Sequence, residues 1–572
     1  MNSSPARVVR YRRLLLAFSG LGGLLYGADI GIIAAALLYL SHTIDLTIAQ
    51  TSLVVAAVLG GSMFSSLAAG MMADWLGRRK MTIVSGAMFI VSIVMIVLSH
   101  GFTGLFLGRL LQGMSGGVIA VVVPLYLAEC LPANERGRGT GFFQFMLTFG
   151  IVLAALIGFL YTRQAETVIA HAAGNALLVR AAQNHAWRGM FLTVIYPGIL
   201  FFISCFFLSE TPRWLFRKGR FAEARTALLR GLPEQEADVV WQEMEDVARE
   251  QKVAADTGAH DSLWRRKYVV PFVLACIVLA LTQTTGINSV LSFLVIILRQ
   301  AGMSARHATQ GDVVVKVLNS VMTLVAVALV DRRGRRFLLR IGTGGVVIAL
   351  LAAGLIFYNI ETASSNVRAA LQSAVSGNRL TLPLSSASLP PETPGRPTTL
   401  TVVYSYGDGE HMDTVLSDTP DPVVRIAPEA NEAGAPLVIR RASYGLIPRS
   451  DIGWAVAGCL ALFILGYAFG PGVVVWLILS ELMPTRIRST GMGIAMLINQ
   501  GISTAIAALF LPVVGTYGYY AMFFFWAGST LLYFLTATFL LPETKGRTLE
   551  EIEKYFEGHG QQTAVAGGGS LS

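Results

Sequence analysis

From Gly23 to Leu40 the chain reads GLLYGADIGIIAAALLYL, and Asp29 is the single charged side chain in that stretch. A carboxylate in a segment apolar enough to lie in a bilayer must be answered by a partner charge, a bound ion or a proton. Arg109, in FLGRLLQG, is the only arginine in the interior of the fourth apolar run and is the candidate partner. A guanidinium favours the charged carboxylate and removal from water favours the acid, so changing water access could load and unload a proton. Lys316 is a third intramembrane charge, able either to snorkel outward or to reach a cavity and bind a hydroxyl or an acidic group. Gln144, Gln283, Asn288, Asn319 and Asn499 interrupt further apolar runs, as does Trp476. Amides and an aromatic face suit recognition of a polyhydroxylated ring, although one amide alone serves equally as an inter-helix hydrogen bond worth roughly 1 kcal/mol. No HExxH or P-loop motif is present, which argues against an enzyme.

These side chains need a membrane scaffold to hold them. The chain has 572 residues, 54% of them hydrophobic and only 14% charged, with a mean hydropathy of +0.60. Twelve apolar runs are long enough to cross a bilayer as helices: 14–40, 50–72, 81–99, 102–128, 140–161, 189–208, 269–298, 310–330, 337–359, 452–479, 490–513 and 516–541. The net charge of +9 could suggest nucleic acid, but most Lys and Arg cluster in alternate loops. By the positive-inside rule those loops and both termini are cytoplasmic. The first run is too long for a cleavable signal, and the four cysteines lie in or beside apolar runs, so no disulfide framework is expected. Absence of a glycosylation sequon in the outer loops points to a bacterial inner membrane.

The runs divide into two sixes. GMMADWLGRR (Gly70 to Arg79) is echoed by ALVDRRGRR (Ala328 to Arg336), YLAECLPANER by ILSELMPTRIR, and LSETPR by LPETKGR. The expected organisation is a cytoplasmic N-terminus (1–13), a six-helix half (14–210), amphipathic linker helices (211–268), spans 7–9 (269–360), an external insert (361–450), spans 10–12 (451–541) and a tail (542–572). The insert alternates in TTLTVVYSYGDGEHMDTVL around a Gly407-Asp408-Gly409 turn, which predicts two to four strands; a disordered spacer is the other reading.

These motifs, in order and each at one end of a span, resemble the sugar porter family of the major facilitator superfamily over nearly the whole chain outside the insert, the linker and the tails. The resemblance implies an all-α fold of twelve membrane helices. It implies a charge network that changes with conformation, formed by Asp74, Arg78, Glu129, Arg136, Glu210, Arg213, Asp331, Arg335, Glu481, Arg488 and Glu543. Surface pairs are individually weak and therefore exchangeable between states. It implies sugar binding by Gln144, Gln283, Asn288, Asn319, Gly472, Trp476 and Asn499, with substrate or gate contacts at Thr282, Ser292, Phe293, Lys316 and Gln500. Thr282, Ser292, Phe293 and Gln500 depart from residues common in the family, as do Val473 and Val475 in place of two prolines, so the sugar cannot be copied from a relative.

The resemblance also supports the Asp29–Arg109 pair, since proton-coupled members carry Asp and Arg at these positions. The expectation is import of a neutral monosaccharide by proton symport, with the proton as coupling ion and no other cofactor or metal. The alternatives are a facilitative uniporter, with the pair purely structural, and a non-transporting sensor on the same fold. The protein is expected to act as a monomer in the lipid bilayer, without nucleic acid, its insert free to meet a further partner.

Overall fold

The computed structural model describes residues 5–131, 133–172, 175–256, 266–386, 389–390, 397–406, 409–416, 423–427, 435–483 and 488–543. Six long helices form the first half: α1 (Pro5–Leu40), α2 (Ile48–Leu76), α3 (Arg78–Leu98), α4 (Phe102–Cys130), α5 (Ala133–His171) and α6 (Ala176–Phe206). Three linker helices follow, α7 (Pro212–Arg217), α8 (Phe221–Gly231) and α9 (Glu234–Asp256). The second half comprises α10 (Arg266–Thr284), α11 (Ile287–Gln300), α12 (Ala305–Arg333) and α13 (Arg335–Thr362), then, after the insert with its short α14 (Arg368–Ala374), α15 (Ser450–Phe469), α16 (Pro471–Leu482), α17 (Arg488–Tyr517) and α18 (Tyr519–Leu535). Among the described residues, twelve spans are long and apolar enough to cross a membrane. Their outward faces carry bare apolar side chains such as Trp75 and Phe539, 73% and 74% exposed, as a lipid-facing surface requires.

Several helices outrun their apolar cores. α5 continues to His171, and α6 begins at Ala176, where the Asn175 side chain accepts from the Leu177 and Leu178 amides. Polar turns beyond the hydrocarbon carry no hydropathy signal, so the sequence places both ends too far inward. Two spans are broken: the seventh at Gly286, whose φ of +83° ends α10 and starts α11, and the tenth at Gly470-Pro471 between α15 and α16.

The halves share a capping device that explains the duplicated motifs. Gly77 and Gly334 have φ of +97° and +90°, a region that costs other residues about 1–2 kcal/mol. Each starts a helix whose first amides point at a carboxylate: Arg78 and Arg79 N–H donate to Glu210, Arg335 and Arg336 N–H to Glu543. Burial pushes the Glu210 carboxyl up from its ordinary range, against the opposing pull of the amides. A side chain at Gly334 would also meet Glu543 Oε2 at 2.7 Å. Gly334→Ala is therefore expected to lower stability by about 1–2 kcal/mol, read as a lower thermal midpoint in detergent; Gly345→Ala, in open space on the same helix, should leave it unchanged.

The insert is more ordered than expected, with six strands among its described residues. β1 (Ser365–Asn366), β6 (Leu437–Leu446), β3 (Thr398–Tyr406) and β4 (Gly409–Leu416) form one antiparallel sheet in that order, and β2 (Leu380–Pro383) pairs β5 (Val423–Ile426). Strands of two and four residues are too short for alternation to reveal them. The predicted hairpin is β3–β4, Tyr406 opposite Gly409; Gly407 and Asp408 lie outside the described residues. Leu400, Val402, Ile426 and Ile439 fill the insert's own core. Below the sheet a cavity of about 530 Å³ is bounded by Asn359, Glu361, Thr401, Arg441 and Arg449, among others. Arg441 of β6 faces Glu361 at the end of α13 (3.6 Å), and His411 of β4 faces Asp45 in the loop between α1 and α2 (3.4 Å).

Candidate substrate and coupling site

Asp29 is positioned by the glycines around it. Gly23, Gly27 and Gly31, four residues apart, form one stripe on α1, and a side chain at Gly27 would overlap the Leu147 carbonyl oxygen on α5. Asp29, two residues on, is turned by about 200° from that stripe and so points away from α5. Small residues likewise bring α4 against α2, where a side chain at Gly113 would overlap the Val58 carbonyl.

Asp29 and Arg109 meet as expected, both buried, with Arg109 Nη1 3.3 Å from Asp29 Oδ1. The same nitrogen donates more closely to Gln112 Oε1 (2.7 Å), and the guanidinium lies 5.6 Å from the centre of the Phe191 ring. Among the described residues Asp29 Oδ2 has no hydrogen-bond partner. It faces Gly116, where a side chain would stand 3.3 Å away. A carboxylate held by one long contact with its second oxygen free is under-satisfied for a purely structural pair. Tyr26, one turn earlier on α1, sets its ring edge beside Gly116, 3.1 Å from where a side chain there would begin, and half-buried Gln500 follows Asn499 on α17.

The expected amides gather where the seventh span breaks. Asn288 Nδ2 donates to Gln283 Oε1 across the break (3.0 Å) and to Ser503 Oγ on α17 (2.7 Å). Asn499 is buried one turn before Ser503. At a contact between the halves, Ser320 of α12 bonds Thr148 of α5 (3.1 Å); half-buried Asn319 adjoins Ser320, and exposed Gln144 stands one turn before Thr148. Gly472 and Trp476 are also four apart on α16, and Trp476 is 43% exposed while Val474, Val475 and Ile478 fill the core.

Other candidates are differently occupied. Thr282 bonds the Val278 carbonyl and the Tyr533 hydroxyl (2.7 and 3.0 Å), inside the second half. Phe293 is fully buried with its ring 4.5 Å from that of Phe510, and Ser292 is buried beside it. Lys316 does neither of the things its sequence position suggests. Its ammonium is wholly enclosed, 2.8 Å from Asp312 Oδ2 and 3.0 Å from the Gly31 carbonyl. Asp312, one turn before it, went unconsidered in the sequence, although an acid four residues before a lysine on a helix is a readable pair. Gln112, three residues after Arg109, was missed in the same way.

Among the described residues, charge pairs gather at the duplicated motifs of each half and on the linker helices. Arg78 bridges Asp74 (2.7 Å) and Glu129 (2.8 Å), and Arg217 of α7, unforeseen, reaches both (3.2 and 3.4 Å). Arg335 pairs with Glu481 (2.9 Å), and Arg213 lies 3.7 Å from Glu243 of α9. The side chains of Arg136, Asp331 and Arg488 lie outside the described residues.

The family model described as "Sugar (and other) transporter" matches residues 16–375 and 443–556, passing over most of the insert. The glucose transporter GlcP of Staphylococcus epidermidis is 26% identical, the match covering 94% of this chain and 96% of that one. The human proton myo-inositol cotransporter is 27% identical over 95% of this chain and 82% of its own length. Among solved structures, the partially occluded inward-open xylose transporter XylE from E. coli superimposes with a TM-score of 0.66 at 20% identity, covering 94% of this chain and all of that one.

Proposed function

Because the chain belongs to the sugar transporter family, a family of membrane transporters rather than enzymes, we propose that it imports a neutral monosaccharide together with a proton, by alternating access across a bacterial inner membrane with both termini cytoplasmic. The substrate class is a hexose such as glucose or galactose, or a pentose such as xylose. Relatives whose names specify glucose and proton-coupled myo-inositol transport support this range.

The observation that carries the reading is the buried Asp29 carboxylate with one oxygen on Arg109 and the other free. A proton arriving from outside binds Oδ2. The neutral acid no longer holds Arg109 by charge, which releases α1 from α4 and lets the loaded protein switch. Without the proton, the ion pair opposes that movement, so sugar and proton travel together. The sugar's hydroxyls exchange water for the amides of Gln283, Asn288 and Asn499 from one side and Gln144 and Asn319 from the other. Trp476 supplies the apolar face, and Gly472 lets the ring approach α16. Asp312 neutralises Lys316, which favours an uncharged sugar over an acidic one.

Purified protein in liposomes tests this directly. An inward proton gradient imposed by a pH jump should drive one or more of a panel of labelled hexoses, pentoses and inositol above the external concentration, and a protonophore should collapse the accumulation. Uptake that stops at equal concentrations under the gradient would establish a uniporter instead.

A further inference from the structure

We propose that Lys316, oriented by Asp312, is a latch that closes the insert face of the transporter by bonding the two halves across their interface. The two residues are one turn apart on α12, in the second half, and are 0% and 1% exposed. The ammonium's second bond goes to the Gly31 carbonyl on α1, in the first half. This contact lies among others that hold the insert face shut: Leu511 N–H of α17 donates to Ser52 Oγ near the start of α2 (3.1 Å), and His411 of the insert faces Asp45.

A buried Lys–Asp pair is a costly way to stabilise one helix, and apolar residues of similar volume often do as well. What such a pair supplies is a donor that can be satisfied in two ways. With the insert face closed, the ammonium donates to the Gly31 carbonyl. When the halves part there, that carbonyl leaves with α1 and water takes its place, while the Asp312 bond, internal to α12, travels with the lysine. Asp312 thus keeps the ammonium aimed in both states. Because Gly31 follows Asp29 by two residues on the same rigid helix, a shift of α1 that breaks the latch also displaces the coupling carboxylate. Lys316 is on this account a positioning residue that touches neither sugar nor proton.

The inference rests on alternating access by this chain and is independent of the sugar and of proton coupling, so its test reads conformation without substrate or gradient. Spin labels at Ser41→Cys and Arg306→Cys, both on the insert face, with the four natural cysteines replaced, report the separation of the halves in liposomes. The parent should show mainly the short distance. D312L/K316M removes both charges together and should raise the ratio of open to closed molecules by about tenfold, the equivalent of one charge-assisted hydrogen bond. K316R, which keeps a charged donor, should stay closed. If the apolar double variant does not fold, D312N/K316Q, which leaves at most a neutral hydrogen bond in place of the charge-assisted one, should shift in the same direction by a smaller factor. An unchanged ratio, or a shift toward the closed state, in a folded double variant overturns the latch. Failure of proton-driven uptake in the parent would refute the symport reading and leave this measurement standing.

Discussion

Asp29→Asn abolishes uphill sugar accumulation and spares sugar-for-sugar exchange: that is the expected result with the largest functional effect. With one proton per sugar and no membrane potential, a gradient of two pH units supports about 100-fold accumulation, since each unit is a tenfold ratio. The variant should bring this to unity. Asn matches Asp in volume and leaves no cavity at a wholly buried position, and its oxygen still accepts from Arg109. Gln112 and the Phe191 ring retain their hold on the guanidinium, so the cavity keeps its shape. Removing one partner of a buried pair leaves the other uncompensated, however, and can cost about 3–5 kcal/mol. D29N/R109Q therefore serves as the companion variant, expected to fold well and to exchange sugar without accumulating it. Labelled-sugar counterflow and pH-jump uptake on the same vesicles separate the two activities. Continued proton-driven accumulation by D29N would place the proton site elsewhere.

Gly27→Ala should have the largest structural effect. The added methyl would overlap the Leu147 carbonyl oxygen and crowd the Ile151 amide nitrogen (3.0 Å), both backbone atoms of α5 that no rotamer change can move aside. α1 must then shift away from α5. Overpacking in a close-packed interior costs typically about 1–3 kcal/mol, and backbone against backbone belongs at the upper end. The shift also carries Asp29 relative to Arg109, whose single contact is already long at 3.3 Å. Loss of most monodisperse protein on size exclusion, or a depressed melting midpoint with impaired coupling in what survives, is the expected outcome. Gly458→Ala, on a helix face with open space, is the matched control and should behave like the parent. Equal behaviour of the two variants would mean that α1 and α5 are not in the close contact described above.

Much of this was readable along the chain. Asp29 stands out because hydropathy is a local property and one charge interrupts eighteen residues. The three echoed motifs betray the duplication because both halves solve the same problem, capping a helix that starts at a positive-φ glycine. The stripe of Gly23, Gly27 and Gly31 is equally present in the sequence, but small residues four apart do not say which helix they meet. Less could be read where the decisive neighbour comes from a distant part of the sequence. Ser503 completes the amide cluster through Asn288, and nothing in LINQGIS marks it as the partner of a residue 215 positions earlier. The breaks at Gly286 and Gly470-Pro471 carry glycine and proline signals, but membrane helices often pass through such residues unbroken.

By itself, then, the sequence determined that this chain spans a membrane twelve times in two related halves, and that charges and amides lie where lipid would forbid them without partners. Those conclusions depend on composition, periodicity and repetition, all set by the order of residues. Only the tertiary structure decided which partner each one takes. Arg109 meets Asp29 with one oxygen left over, Thr282 and Phe293 turn into the packing of their own half, and Lys316 is enclosed between Asp312 and Gly31. The reason is that a side chain's surroundings in a helical bundle depend on the rotation and approach of neighbouring helices. Here those are fixed by glycines pressed against carbonyls on α5 and α2, contacts made between residues far apart in the chain.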